Sequence, residues 1–172
     1  MRSAMPHVRL ILGLDPGLRH TGWGIVAQDG NRLTFIAAGR VSPDPEPEMA
    51  ARLCQLADGI AAVIAQHRPN EAAIEATFVN NNAASALKLG QARGAAMLTC
   101  AQNGLAVAEY GANLIKKSVT GYGHADKNQI KAMIAMLLPG SGKLAPDAAD
   151  ALAVAITHAH HSESRLRVAG IG

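Results

Sequence analysis

The 172-residue sequence predicts one α/β domain whose sheet contains both antiparallel and parallel strands. Two short apolar runs near the N-terminus, at residues 10–14 and 23–26, flank a Pro16-Gly17 turn, which predicts an antiparallel pair of strands. A long amphipathic segment separates them from another apolar run at residues 72–76, and a helix between two strands is typical of a parallel crossover. A chain of this length can bury about two thirds of its unfolded surface in a single core.

The first half of the chain contains three predicted strands and one helix. The strand at residues 10–14 has too few polar positions to alternate, so both of its faces are expected to be covered. The Asp29-Gly30-Asn31 segment is a strong hairpin signal and leads into a third strand at residues 33–41. A loop with three prolines follows at residues 42–47, and apolar residues then recur at helical spacing over residues 48–67.

The second half contains two further predicted strands and four helices. The fourth strand, residues 72–76, is expected to run parallel to the first, and residues 105–110 form the fifth. The asparagines at 80–82 can cap a long helix, and the helices are predicted at residues 83–103, 113–120, 126–138 and 147–158. We expect the core to span about residues 9–160 and the tail, residues 162–172, to be disordered.

The long helix at residues 83–103 carries a line of small residues. Ala86, Gly90 and Gly94 recur every four positions and therefore lie on one side of the helix, where another backbone could approach closely. This line has two interpretations: it packs on the helix's own sheet, or it forms a contact between subunits.

Composition and charge restrict the class of protein. Cys54 and Cys100 are isolated, which predicts reduced thiols in a cytoplasmic protein. No apolar run approaches the ~18 residues of a membrane span, so we expect a soluble protein with no membrane contact. The net charge is +3, and residues 83–143 hold seven Lys and Arg against two Asp and Glu. This basic half is either a phosphate-binding face or ordinary surface variation.

Four carboxylates occupy unusually apolar surroundings. Asp15 and Glu75 end two predicted core strands, and Asp147 and Asp150 lie one turn apart on one face of the last helix. Asp15 could simply initiate a turn, and the helix dipole accounts for Asp147. If the four meet, however, they raise each other's pKa unless a cation neutralises them.

A hard divalent cation suits such a group of oxygen ligands. Mg²⁺ binds through carboxylates, water and substrate phosphates, and two ions ~3.5–4 Å apart catalyse in-line displacement at phosphodiesters. The lysines of the basic half, chiefly Lys116, Lys117 and Lys127, would hold the phosphate backbone. The histidines at 158, 160 and 161 have no zinc-ligand spacing and are predicted to be a solvated surface patch.

Five segments together resemble the RuvC family of Holliday junction resolvases. They are Gly-Leu-Asp-Pro-Gly at 13–17, Thr-Gly-Trp-Gly at 21–24, Ile-Glu-Ala-Thr-Phe at 74–78, Ser-Ala-Leu-Lys-Leu-Gly-Gln-Ala-Arg-Gly at 85–94 and Asp-Ala-Ala-Asp-Ala-Leu-Ala at 147–153. The resemblance covers residues 9–160. It implies a ribonuclease H-like fold, with a five-stranded mixed sheet and helices on both faces.

The resemblance also implies an activity and a set of site residues. The activity would be metal-dependent, symmetric nicking of two strands of like polarity at a four-way DNA junction, in recombination and repair. The catalytic carboxylates that bind Mg²⁺ or Mn²⁺ would be Asp15, Glu75, Asp147 and Asp150. The DNA contacts would include Phe78, Lys116 and Lys127, with Lys117 an extra cation of unassigned role. The partners would be a second copy of the chain, joined through the long helix, and a branch-migration helicase complex.

Two other functions are compatible with parts of this pattern. The segment from Asp15 to Thr21 also resembles the phosphate loop of actin-like and sugar-kinase ATPases, but those proteins need a second domain for which 172 residues leave no room. A catalytically silent junction-binding module is the other alternative, and retention of all four acids argues against it.

Overall fold

The computed structural model describes residues 7–76 and 81–168, which form a mixed sheet between two layers of helices. The strands are β1 (Arg9–Asp15), β2 (Thr21–Asp29), β3 (Arg32–Val41), β4 (Glu71–Ala76) and β5 (Val107–Gly111), in the order β3-β2-β1-β4-β5. β1 pairs antiparallel with β2, and β2 with β3, whereas β4 runs parallel to both β1 and β5. The predicted antiparallel pair, hairpin and parallel crossover are confirmed.

Helices cover both faces of the sheet. They are α1 (Met49–His67), α2 (Ala83–Gln102), α3 (Ala112–Thr120), α4 (Lys127–Leu137) and α5 (Pro146–Val168). Neighbouring strand residues point to opposite faces, so Leu12 packs with Leu56 of α1 while Ile11 packs with Ile156 of α5. β1 is therefore buried on both sides, as its unbroken apolar sequence predicts. Among the described residues, no helix is both long enough and apolar enough to cross a bilayer.

Side-chain caps begin two of the helices where the sequence predicts them to begin. The Asn82 side chain accepts a hydrogen bond from the Ser85 amide at 3.1 Å and starts α2. At the start of α4, Asp126 and Gln129 each accept a hydrogen bond from the other's amide at 2.9 Å. This reciprocal pair satisfies backbone donors that a helix leaves unpaired in its first turn.

Helix α5 is longer than the sequence predicts. It runs to Val168 rather than ending near residue 158, so the expected disorder of the tail is wrong for residues 162–168. The apolar pattern stops at about residue 159, but no glycine or proline interrupts the chain before Gly170. Ser162 also ties this part of the helix to β1, because Arg9 donates a hydrogen bond to its hydroxyl at 2.8 Å. Residues 169–172 lie outside the described residues.

The predicted solvated histidine patch is wrong for His158. This side chain is only 7% exposed, and its ring lies 2.8 Å from the Tyr110 hydroxyl and 2.5 Å from the Glu71 carboxylate. Arg9 in turn donates to Glu71 at 3.0 Å. His160 is exposed, whereas His161 shares the face of α5 that packs on the protein, because residues three apart on a helix lie together. Helix periodicity and partners on β4 and β5 therefore override the polar character of the segment.

The small-residue line of α2 does not pack on the sheet. A Cβ atom added at Gly90 or Gly94 would meet no described atom within 4 Å, and Leu87 and Leu98 beside them are 66% and 58% exposed. The opposite side of α2 is buried through residues Ala92, Ala96, Thr99 and Cys100. The structure thus excludes the first of the two interpretations. Both cysteines are unpaired, as predicted.

Candidate active site

Asp15 and Glu75 lie side by side at the carboxyl ends of β1 and β4. The two strands are parallel, and Leu14 pairs with Ile74, so the next residue of each strand falls at the same level. Ile11 and Ala73 point into the core beneath α5. Because side chains alternate along a strand, Asp15 and Glu75 point to that same face.

Helix α5 crosses this face in direct contact with the strands, and three glycines allow it to do so. A Cβ atom at Gly22 would lie 1.9 Å from the Asp147 carbonyl oxygen, and one at Gly13 would lie 2.0 Å from the Ala151 carbonyl oxygen. At Gly24 it would meet the Leu152 side chain at 2.6 Å. Glycine within a strand commonly marks such close approach of another backbone.

The glycine contacts place both helix carboxylates at the site. Gly22 is the pairing partner of Asp15, so the first turn of α5, with Asp147, lies over the end of β1. Asp150 follows one turn later on the same side of the helix. Arg40 of β3 lies 3.6 Å from the Asp147 carboxylate, and the Lys127 amine lies 3.9 Å from that of Asp150.

The four carboxylates interact electrostatically. Burial and, after it, the charges of Asp150, Glu75 and Asp147 together raise the pKa of Asp15 to about 7, against the opposing charge of Lys127. Burial and Asp150 likewise raise the pKa of Glu75. Burial also raises the pKa of Asp150, which Lys127 opposes. The positive side chains nearby therefore do not balance the negative charge that the fold concentrates at this point.

A cavity of about 490 Å³ opens beside these acids. Glu75 of β4 and Asp150 of α5 line one part of it, and Lys116 of α3 and Lys127 of α4 line another. Lysines and carboxylates from four different elements thus face a single space. Such a cleft can hold an anionic phosphate and a cation at the same time.

The carboxylates suit a hard divalent cation, but they do not form a complete cage. Asp15, Glu75, Asp147 and Asp150 supply only oxygen donors, the ligands that Mg²⁺ and Mn²⁺ prefer. Within the part of the chain that the structure describes, no three His, Cys, Asp or Glu side chains lie close enough to hold a metal ion by themselves. Mg²⁺ commonly binds through one or two carboxylates together with water and substrate phosphates. The residues therefore fit a magnesium site that the substrate completes.

Two site residues predicted from the sequence remain, Lys117 and Phe78. Lys117 is exposed on α3 and is not among the described residues that line the cavity. Phe78 lies outside the described residues.

Sequence reasoning missed two cations and the three glycines. Arg40 contacts Asp147, and Lys131 lowers the pKa of Asp150. Nothing local marks either cation, since each meets its carboxylate only in the folded chain. The glycines within β1 and β2 did carry a signal, because glycine is uncommon inside strands.

Comparison with known proteins identifies the family. The family model described as crossover junction endodeoxyribonuclease RuvC matches residues 11–158. A crossover junction endodeoxyribonuclease RuvC from Rhodopseudomonas palustris (strain TIE-1) is 57% identical over 162 residues, which span 94% of this chain and 93% of the relative. The protein of the same name from Caulobacter vibrioides is 59% identical over 159 residues, which span 92% of this chain and 94% of the relative.

Solved structures agree with this comparison. The structure of Thermus thermophilus RuvC in complex with Holliday junction substrate is 29% identical, with a TM-score of 0.84, and the match covers 91% of this chain and 96% of that one. The yeast mitochondrial Holliday junction resolvase is 11% identical with a TM-score of 0.61, which shows the shared fold alone. The fold is ribonuclease H-like, as the resemblance implied. The chain belongs to the RuvC family of crossover junction endodeoxyribonucleases.

Proposed function

We propose that this protein resolves four-way DNA junctions by Mg²⁺-dependent nicking of two strands of like polarity. One observation carries the proposal: Asp15, Glu75, Asp147 and Asp150 converge beside a cleft that is also lined by lysines, and burial with neighbouring carboxylates raises the pKa of Asp15, Glu75 and Asp150. The substrate follows from the family, because the solved relative from Thermus thermophilus is in complex with a Holliday junction substrate.

Each side chain of the cleft has a part in this reaction. Mg²⁺ held by the carboxylates, with two ions per site, would activate water for in-line attack and stabilise the leaving oxygen. Lys116 and Lys127 attract the phosphate backbone into the cleft. Lys127, 3.9 Å from Asp150, can exchange this carboxylate for a phosphate. Arg40 holds Asp147 at the start of α5, where the helix dipole also favours a carboxylate.

We further propose that two copies of the chain act together through α2. Gly90 and Gly94 of the small-residue line, with Leu87 and Leu98 beside them, form an exposed apolar surface. Another helix could pack closely on this surface. A dimer would present two clefts to one junction, which supports paired nicks. The family resemblance supports a single catalytic domain over the whole chain, a DNA contact by Phe78 and a branch-migration helicase as partner. The exposed position of Lys117 in the basic half supports a DNA contact there, and the isolated cysteines support action in the cytoplasm.

Cleavage of synthetic substrates by the wild type and by Asp15→Asn tests the function. We expect the wild type to produce paired, Mg²⁺-dependent nicks in a four-way junction and none in duplex or single-stranded DNA of the same sequence. Asp15→Asn should bind the junction without cutting it, because removing a negative charge does not weaken phosphate attraction.

Asp29→Asn is the matched control. Asp29 is exposed at the far end of β2 and should be dispensable for cleavage. Equal cleavage of duplex would contradict junction selectivity, and full activity of Asp15→Asn would contradict the assignment of the site.

A further inference from the structure

A second cavity, of about 220 Å³, lies between α4 and the loop that leads into α5. Its lining comprises Lys131, Ile134, Ala135, Ser141, Gly142, Lys143, Leu144 and Ala149. Two of these described residues are lysines and none is acidic, whereas Glu75, Asp126 and Asp150 line the catalytic cleft. The catalytic cleft thus combines carboxylates with lysines, whereas the charged described residues that line the second cavity are all lysines.

The two cavities adjoin each other along the seam between α4 and α5. On α4, Lys127 lines the cleft, and Lys131, one turn or about 6 Å further along the helix, lines the second cavity. On α5, Asp150 lines the cleft and its neighbour Ala149 lines the second cavity. Lys131 also lowers the pKa of Asp150, so its charge acts across the boundary between them.

The loop that forms one side of the second cavity is a tight turn built on two glycines. Gly140 and Gly142 adopt left-handed conformations, with φ of 88° and 67°, on either side of Ser141. The Ser141 amide donates to the Leu138 carbonyl at 3.2 Å and closes the turn at the end of α4. The Ser141 amide is thereby committed to the protein, so the charges of Lys131 and Lys143 are what suit the cavity to an anion.

We propose that this second cavity binds a phosphate of the DNA backbone, next to the phosphate held in the catalytic cleft. The proposal rests on the proposed function, which brings a polynucleotide to the adjoining cleft. The volume is that of several water molecules at about 30 Å³ each, which accommodates a phosphate group. None of the described lining residues is aromatic, so the cavity offers no stacking surface for a base.

The salt dependence of junction binding tests this subsite. Binding of a four-way junction is measured in EDTA over a series of KCl concentrations for the wild type and for Lys131→Gln/Lys143→Gln. Each lost phosphate contact lowers the slope of log affinity against log salt by about 0.9, which corresponds to roughly eightfold weaker binding at 0.1 M salt. We expect a loss of about one unit of slope.

Two further variants separate charge from structure. Lys131→Arg/Lys143→Arg should retain the wild-type slope, because it keeps both charges. Arg32→Gln removes an exposed cation at the hairpin, the opposite end of β2 from Gly22, and should leave the slope unchanged. A wild-type slope in the glutamine double variant would overturn the subsite.

Titration with inorganic phosphate distinguishes the source of the ligand. If phosphate shifts the amide resonances of residues 140–143 while the glutamine double variant keeps the wild-type slope, the cavity holds free phosphate, and its assignment to DNA is wrong. Failure of the wild type itself to bind the junction would instead overturn the proposed function. The wild type and the variants therefore report on the two proposals separately.

Discussion

Replacing Gly22 with alanine should displace the catalytic end of α5. The added methyl carbon would lie 1.9 Å from the Asp147 carbonyl oxygen, whereas ordinary contacts begin at 3.4 Å, so the helix or the strand must retreat by about 1.5 Å. The obstructing atom belongs to a helix backbone and cannot rotate away. Asp147 must therefore move relative to Asp15, which pairs with Gly22.

The expected effects follow from the size of this displacement. Forcing a methyl group into packed structure costs about 1–3 kcal/mol, and each kcal/mol lowers the melting temperature by about 2–4 °C for a chain of this size. Misplacement of catalytic groups by about 1 Å can cost on the order of 10²-fold in rate. We thus expect moderately lower stability and a much larger loss of cleavage.

Single-turnover cleavage of a four-way junction, junction affinity and thermal unfolding measure these effects. Gly123→Ala is the control, since its methyl carbon would meet the nearest described atom at 3.8 Å and its φ is not left-handed. We expect Gly22→Ala to bind the junction normally and cut it about 100-fold more slowly. An unchanged melting temperature and rate would refute the close contact, and a normal rate in a destabilised variant would refute the positioning role of α5.

Three further predictions concern other parts of the molecule. The raised pKa of Asp15, about 7 against an ordinary 3.8, means that the metal-free folded state binds the extra proton between these values. The stability that this bound proton contributes must fall as pH rises from 4 to 7. The melting temperature in EDTA should therefore decline over this range in the wild type, and it should decline less in Asp15→Asn. Gly94→Arg should convert a dimer to a folded monomer in sedimentation experiments, whereas Met136→Arg, at an exposed position of α4, should not. His158→Ala removes the hydrogen bonds that the buried imidazole makes with Tyr110 and Glu71, each worth about 0.5–1.5 kcal/mol. Calorimetry should show a lower melting temperature with junction affinity unchanged, and wild-type stability would contradict the role of this network.

The order and direction of the first four strands could be predicted because they depend on local patterns, whereas the parallel pairing of β5 with β4 came from the structure. Apolar runs, an Asp29-Gly30-Asn31 hairpin and an intervening amphipathic helix are sufficient for a mixed sheet. The same pattern places Asp15 and Glu75 at equivalent strand ends, and parallel pairing then brings them together. The end of α5 was mispredicted because the loss of an apolar face does not stop a helix that continues to make hydrogen bonds along its own backbone.

Partners distant in sequence could not be predicted. His158 was misassigned to the surface because its burial depends on Tyr110 and Glu71, which lie 48 and 87 residues away. Arg40 meets Asp147 because β3 pairs with β2 at Gly22 and α5 packs against β2 at that same glycine. Neither periodicity nor composition predicts such contacts between distant residues, because the sequence around each of these side chains contains no distinguishing pattern.

The sequence by itself determined the fold class and predicted the four acids of the proposed site, because apolar runs mark the core strands and helix and thereby single out the carboxylates placed at their ends. Only the tertiary structure decided how closely α5 approaches the sheet, which cations face Asp147 and Asp150, and that Lys131 and Lys143 share a cavity. Those features depend on separations of a few ångströms between segments far apart in the chain. Such separations are set by the packing of the whole domain rather than by any one segment.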